Sequence, residues 1–304
     1  MFIIGVKKCG TSDLFFRTAM HPDFAHPGFK EAQWFARRRF TKDKSMADFS
    51  AYISMFDKAA NKVYKGAELM PHESFTNQRT ITGEASPSNL HLNSHWQTLP
   101  GNENADEPRY VILDYIHHIL PAAKIIITFR DPIDRLYSDY FHEFGTLQNR
   151  NDVGPAHFHE VVTEGIDLYR KCFEHRTVRS CAYDHSLYDT TKMQVQLGIY
   201  YIYWQELTRL FSRDNILVLQ NKDMKYKERT MKMVYNFLGL RELTAVEMQS
   251  VVKSQEQYIR KASYKEKGPM LKETRELLTE FYQPFNEKMA ELTGDSQFLY
   301  MDTS

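Results

Sequence analysis

Lys124-Ile125-Ile126-Ile127-Thr128-Phe129-Arg130-Asp131-Pro132-Ile133-Asp134-Arg135-Leu136-Tyr137-Ser138-Asp139-Tyr140 is the stretch that decides the fold. Its first six residues form a run dominated by β-branched side chains, the pattern of a parallel strand buried on both faces. Pro132 then takes the first-turn place of a helix predicted to run to about residue 144. A parallel strand needs a partner reached by a crossover. The chain opens with one: a strand over 2–6, the turn Lys7-Lys8-Cys9-Gly10-Thr11-Ser12, and a helix over 13–20 that stops at His21-Pro22.

Working outward, 215–220 reads as a further strand and 79–84 as a third one near the start. A short extended segment lies around Phe29-Lys30-Glu31, before the basic turn Arg37-Arg38-Arg39. Apolar spacing predicts helices over 46–65, 156–176, 191–211, 226–239 and 272–292, and one ending at Leu120-Pro121. The alternation predicts an α/β fold, a central parallel sheet flanked by helices. No linker interrupts it, so 1–304 reads as a single domain. Residues 86–108, rich in Ser, Pro, Asn and Gly, read as a long functional loop.

Lys and Arg number 39 and Asp and Glu 39, so the net charge is zero. That excludes a global basic field for nucleic acid and leaves anion recognition to local clusters. Hydrophobic residues at 42% and charged residues at 26% describe an ordinary globular protein. No apolar run approaches the ~18 residues of a membrane span, and no basic-then-apolar leader is present, so either the chain is soluble in its own right, as given, or a leader and anchor have been removed. Three cysteines without a CxxC pair make neither a disulfide framework nor a zinc site. Cys172 and Cys181 are spaced for a small loop closure; one bridge plus the Cys9 thiol suits a secretory enzyme, and three thiols suit the cytosol equally. The bridge is the preferred reading.

The first turn carries chemistry. Gly5 and Gly10 have the spacing of a phosphate-binding loop, but Thr11 stands where its Lys-Ser/Thr pair would begin, and Lys8 precedes the second glycine. Backbone N–H groups at a helix N-terminus still suit an anion, with Lys8 beside it and the Thr11 and Ser12 hydroxyls following. The altered order argues against a Mg²⁺-dependent nucleotide hydrolase or kinase; an ordinary βα turn is the alternative. Arg130 ends the buried strand at the edge where open α/β sheets bind ligands. Ser138, two turns into the next helix, can face the same anion. Alternatively Arg130 pairs with Asp131 or Asp134.

Together the two motifs resemble those of the carbohydrate sulfotransferases that use 3′-phosphoadenosine 5′-phosphosulfate (PAPS). The first turn matches that family's 5′-phosphosulfate loop, and Arg130-Asp131-Pro132-Ile133-Asp134-Arg135-Leu136-Tyr137-Ser138-Asp139-Tyr140 its 3′-phosphate motif. Lys30-Glu31-Ala32-Gln33-Trp34-Phe35, Gly83-Glu84-Ala85-Ser86 and Phe281-Tyr282-Gln283-Pro284-Phe285-Asn286 are similar to the branch that 6-O-sulfates N-acetylgalactosamine 4-sulfate in chondroitin. Ala85 stands where heparan sulfotransferases commonly have lysine. The similarity runs over nearly the whole chain and includes Cys172 and Cys181.

The resemblance implies a P-loop-like sulfotransferase fold and transfer of sulfate from PAPS to a chondroitin sulfate of the A type. The products would be PAP and a 4,6-disulfated residue. Lys8 would contact the sulfuryl group and leaving phosphate; Cys9, Gly10, Thr11 and Ser12 would form the loop; Arg130 and Ser138 would hold the 3′-phosphate. Lys267-Gly268 would close over the nucleotide, with Pro269 in place of the usual arginine. Glu31 would be the catalytic base, with Gln33 where histidine is expected; apart from the resemblance, Glu31 reads as an ion pair with Lys30 or Arg37. No metal is required, and the histidines are scattered. A Golgi-lumen location is implied, the membrane anchor being absent from this chain. Another glycosaminoglycan acceptor (unsulfated chondroitin, dermatan or heparan), or a catalytically weak glycan-binding relative, is the alternative.

For the acceptor, Arg37, Arg38 and Arg39 offer fork-like donors to carboxylates and sulfates, or else form a solvated basic turn. His91 and Trp96 in the 86–108 loop offer a donor and a ring for sugar stacking; the other reading is a surface loop with one buried tryptophan.

Overall fold

The computed structural model describes residues 1–40, 48–68, 80–146, 153–257 and 266–301. It comprises two compact units. One gathers Met1–Leu90, Leu120–Phe129 and Ser212–Tyr258; the other gathers His91–Ile119, Arg130–Phe211 and Ile259–Ser304. The chain passes between them after residues 90, 119, 129, 211 and 258.

The first unit holds the sheet. Strands β1 (Phe2–Gly5), β2 (Ile125–Phe129) and β3 (Ile216–Gln220) lie in that order, all parallel. Phe2 stands beside Ile125, and Ile125 beside Ile216. Every residue of β2 is buried, as its central place and β-branched run require. Its one hydroxyl, on Thr128, is satisfied internally by the carbonyls of Gly5 (3.3 Å) and Cys9 (3.0 Å). The strand expected over 79–84 appears as two parallel bridges, Phe2 with Glu84 and Phe24 with Ile81; residue 79 lies outside the described residues. Gly83 separates the bridges, and a Cβ there would overlap the carbonyl of Met1. Ala25 N donates to Ile81 O (2.7 Å) and Ala85 N to Lys30 O (2.9 Å), so the extended segment leading to Glu31 lies outside 81–85, one segment removed from β1.

Helices Thr11–Ala19 and Lys227–Leu238 pack on this sheet and on each other. Leu14, Phe15, Met231, Val234 and Tyr235 join Ile3, Ile126 and Leu219 in one apolar core. Arg17, fully buried, donates to Asp13 (2.8 Å), to Ser254 Oγ (2.7 Å) and to the carbonyl of Val251, and so ties the first helix to the end of Ala245–Lys253. The helix predicted over 46–65 forms as two pieces, Ser50–Ser54 and Asp57–Glu68.

The second unit is helical. It contains Ile112–Ile119, Pro132–Glu143, Pro155–Phe173, Tyr200–Leu210 and Lys272–Thr293, with short helices Val178–Ala182 and His185–Thr191. Cys172 and Cys181 are bridged. The helix expected over 191–211 starts only at Tyr200, after a tight turn Val195–Gly198. Tyr282 explains the break: its ring occupies the space of a Gly198 Cβ, and its hydroxyl donates to Val195 O (2.7 Å). The 91–111 stretch has little regular structure, and Asn102 supplies its missing backbone partners. Its amide donates to Trp96 O and Tyr110 O, and its oxygen accepts from the N–H of Arg109 and Tyr110, all within 2.9 Å.

Candidate active site

In the first unit, the turn after β1 is built for close approach. Lys8 has φ +68° and Gly10 φ +87°, a left-handed pair that closes the chain onto the Thr11–Ala19 helix. Gly10 needs to be glycine twice over, since a Cβ would also stand 2.6 Å from the side-chain amide of Asn221, just after β3. A lysine at positive φ is uncommon, and such positions gather at functional sites. No side chain caps the helix. Among the described residues, the amides and hydroxyls of Thr11 and Ser12 have no protein acceptor or donor, so they remain for an anion. Thr128 holds the loop's inner wall through the carbonyls of Gly5 and Cys9, and Cys9 is a buried thiol.

Glu31 lies level with the C-terminal half of β1, because Glu84 stands beside Phe2 and Ala85 beside Lys30. It is one third exposed. Lys30 pairs with its Oε1, as the ion-pair reading expected, and Gln33 Nε2 donates to its Oε2 at 2.7 Å. Gln33 has φ +50° and opens a π-helix, Trp34–Arg38. That backbone is held from below: Gln33 N donates to Ser86 Oγ (3.2 Å), Ser86 Oγ donates to Glu84 Oε2 (3.2 Å), and Asn89 Nδ2 donates to Glu84 Oε1 (2.8 Å). Burial pushes the Glu84 carboxyl up to about 7, against the lowering effect of Asn89, Ser86 and the Ala32 N–H. Lys8 and Glu31 thus follow parallel segments two strand steps apart, about 10 Å between backbones.

In the second unit, Arg130 is half-buried at the start of its own segment. Neither ion pair expected for it forms. Asp131 instead caps the Pro132–Glu143 helix, accepting from Ile133 N at 2.8 Å, and Asp134 pairs with Arg275 at 2.8 Å. Among the described residues no side chain takes the Arg130 guanidinium, while its carbonyl accepts from Tyr200 (2.7 Å). Ser138 is half-buried on the same helix with its hydroxyl likewise unpartnered among the described residues. Its neighbour Tyr137 donates to Gly268 O at 3.0 Å, which brings the Lys267-Gly268 turn to this helix. Gly268 sits at φ +90°, and Lys267 is exposed.

Of the acceptor candidates, Arg37 and Arg38 are exposed. Arg39 departs from the expected basic turn: the π-helix turns it inward, where it is 3% exposed with its guanidinium 4.8 Å from the Phe40 ring centroid. His91 is half-buried at the end of the Ser88–His91 helix. Trp96 is 7% exposed, so its ring is packed inside and offers no open face for a sugar. No group of three or more His, Cys, Asp or Glu among the described residues has the arrangement of a metal site.

The Lys8 turn follows β1 and Arg130 follows β2, in the order of the two sequence motifs. The family description "Sulfotransferase domain" matches residues 1–293. The chain belongs to the sulfotransferase family. Carbohydrate sulfotransferase 15 of Mus musculus is 33% identical over 313 residues, covering 99% of this chain and 54% of that protein. The Homo sapiens protein of the same name is 32% identical with the same coverage. This sulfotransferase therefore spans about half the length of the curated relatives it matches. Among solved structures, a sulfotransferase from Alicyclobacillus acidocaldarius superposes with a TM-score of 0.58 at 20% identity, over 98% of this chain and 97% of its own, and shows the same fold.

Sequence reading of this sulfotransferase missed four residues that organise the site: Glu84, Thr128, Tyr137 and Tyr200. Glu84 lies inside the Gly83-Glu84-Ala85-Ser86 motif, but only burial reveals its part. Thr128 was visible as the one polar residue in the buried strand, which is the signal that finds it. Tyr137 and Tyr200 act through hydroxyls whose partners are 131 and 70 residues away, which no local pattern shows.

Proposed function

We propose that this sulfotransferase moves the sulfuryl group of PAPS to the 6-hydroxyl of N-acetylgalactosamine 4-sulfate in chondroitin or dermatan sulfate, releasing PAP. The observation that carries the reading is the Lys8–Ser12 turn, with its uncapped helix amides and unpartnered hydroxyls, in a chain matched over nearly its whole length by carbohydrate sulfotransferases. PAPS supplies an activated sulfuryl group and a phosphate leaving group. Lys8, Gly10, Thr11 and Ser12 neutralise the oxygens on which charge builds, and electrostatic stabilisation of that kind is a major source of rate. Glu31 takes the proton of the attacking hydroxyl. Arg130, Ser138 and the Lys267-Gly268 turn hold the 3′-phosphate, and Arg37 and Arg38 meet the acceptor's anionic groups. Both compact units serve one catalytic domain, 1–304.

The disulfide supports an oxidising compartment, consistent with the Golgi lumen. No described helix is long and apolar enough to cross a membrane. The test is a transfer assay with PAPS on unsulfated, 4-sulfated and 6-sulfated chondroitin, followed by disaccharide analysis. A 4,6-disulfated product formed only from the 4-sulfated chain supports the reading. Transfer to another chain replaces the acceptor. Glycan and PAP binding without turnover favours the non-catalytic reading, for which Gln33 in place of histidine is the motive.

A further inference from the structure

Five residues before Glu31, the same extended segment carries a cationic cluster that the reaction above does not use. His26 packs against Phe15, with ring centroids 5.5 Å apart, and accepts the Gly28 N–H on Nδ1 at 2.8 Å. Its Nε2 is then the nitrogen that carries the proton of the neutral ring. Lys58 and Lys62 lie four residues apart on Asp57–Glu68 and share a face toward this segment. Gly28, at φ +100°, lets the backbone come close: a Cβ would stand 3.0 Å from Lys58 Cδ and 3.6 Å from its Nζ. Lys62 Nζ donates to the carbonyls of Phe24 (3.0 Å) and Pro22 (3.4 Å), which leaves one donor. The Lys58 ammonium has no acceptor among the described residues.

The local charge balance is one-sided. Burial first, then Lys58 and Lys62, hold the His26 pKa below its ordinary value. Asp23, three residues upstream, faces Arg241 at 3.8 Å. Three nitrogen groups therefore gather on this segment.

We propose that His26, Lys58 and Lys62 form an anion subsite that takes a sulfate or carboxylate group of the acceptor glycan, on a sugar neighbouring the one that reacts. This rests on the glycan-acceptor reading above. Five residues span at most about 17 Å when fully extended, so one polyanionic chain can meet the cluster and Glu31 together. The cluster selects for charge along the chain, and Glu31 for the reacting hydroxyl.

The test follows the His26 ring by NMR across a pH titration of the full chain, with a 4-sulfated chondroitin oligosaccharide, an unsulfated one, or inorganic sulfate. The sulfated oligosaccharide is expected to raise the His26 pKa by about one, a roughly tenfold preference for the protonated ring. Lys58→Ala should abolish that response and weaken oligosaccharide binding roughly five- to tenfold while PAP affinity stays unchanged. An unmoved His26 in the presence of the oligosaccharide overturns the subsite. A response to inorganic sulfate alone overturns its assignment to the glycan. Transfer activity measured on the same samples separates the two readings: turnover with an unmoved His26 keeps the proposed function, and a moved His26 without turnover keeps the subsite alone.

Discussion

The side-chain amide of Gln33 donates to Oε2 of Glu31 at 2.7 Å while Lys30 holds the other carboxylate oxygen. The carboxylate is therefore fixed by two neighbours of its own segment, one charged and one neutral. If Glu31 is the base, Glu31→Gln should lower turnover by about 10²- to 10⁴-fold with PAP binding intact. Gln33→Ala, which frees the carboxylate but keeps it, should cost about tenfold in kcat, the lower end of what misorientation does. Steady-state kinetics of both variants checks this, and near-normal turnover in Glu31→Gln removes the base assignment.

The Arg130 guanidinium meets no side chain among the described residues, and Tyr137 holds Gly268 O at 3.0 Å. Hydrogen bonds to charged groups contribute about 1.5–3 kcal/mol each. Arg130→Ala should thus weaken PAP binding by roughly 10- to 100-fold, and Arg130→Lys should recover only part, because a point charge lacks the fork. Tyr137→Phe loses a neutral bond worth about 1 kcal/mol, a several-fold effect through the Lys267-Gly268 turn. Calorimetric titration with PAP reads all three, and an unchanged affinity in Arg130→Ala would end its assignment to the 3′-phosphate.

Glu84 gives a pH dependence of stability with a definite sign. Its folded value is about 7 against an ordinary 4.5, so between those pH values the folded chain holds a proton that the unfolded chain has lost. The stability it contributes is present below 4.5 and is lost as pH rises through 7, roughly 3 kcal/mol in all. Urea unfolding of the wild type against Glu84→Gln should show that difference, the variant becoming relatively more stable toward neutral pH. The Met1 amine, pushed down to about 6 by burial, acts in the opposite direction between 6 and 8, so pH 4.5–6 is the cleaner range. A difference that stays flat there contradicts the buried carboxyl.

The Cys172–Cys181 bridge closes a loop with a sequence separation of 9. Loop-closure entropy assigns such a bridge about 2.5 kcal/mol. The double variant Cys172→Ser/Cys181→Ser should melt roughly 4 °C lower, and reductant should lower the wild type by a similar amount without affecting the variant. Equal melting of the two forms would show that the bridge adds nothing to stability.

Much of the sheet was legible because burial on both faces leaves a chemical trace. The run Ile125-Ile126-Ile127-Thr128-Phe129 is β2, and the turns at Lys8 and Arg130 lie where their strands end. What was hidden is direction. Arg37, Arg38 and Arg39 are identical in sequence terms, yet a π-helix turns only Arg39 inward over Phe40. Trp96 carries no local mark separating a packed indole from an exposed one. The helix Ala245–Lys253 was missed although its capping box, Thr244 with Glu247, is written in the sequence. Glu84 shows the limit most plainly, since a carboxyl titrating near 7 is a property of its surroundings and not of its letter.

Because the chain changes unit after residues 90, 119, 129, 211 and 258, neither compact unit is encoded by one uninterrupted stretch of gene. A single truncation cannot deliver either half intact: any clone shortened from one end discards pieces of the unit it was meant to keep. Ribosomal synthesis meets the same constraint, since β3 emerges only after most of the helical unit has been made. The parallel sheet that carries the Lys8 turn is therefore completed late in translation, and a nascent chain stopped before residue 216 would present β2 with one edge still unpaired.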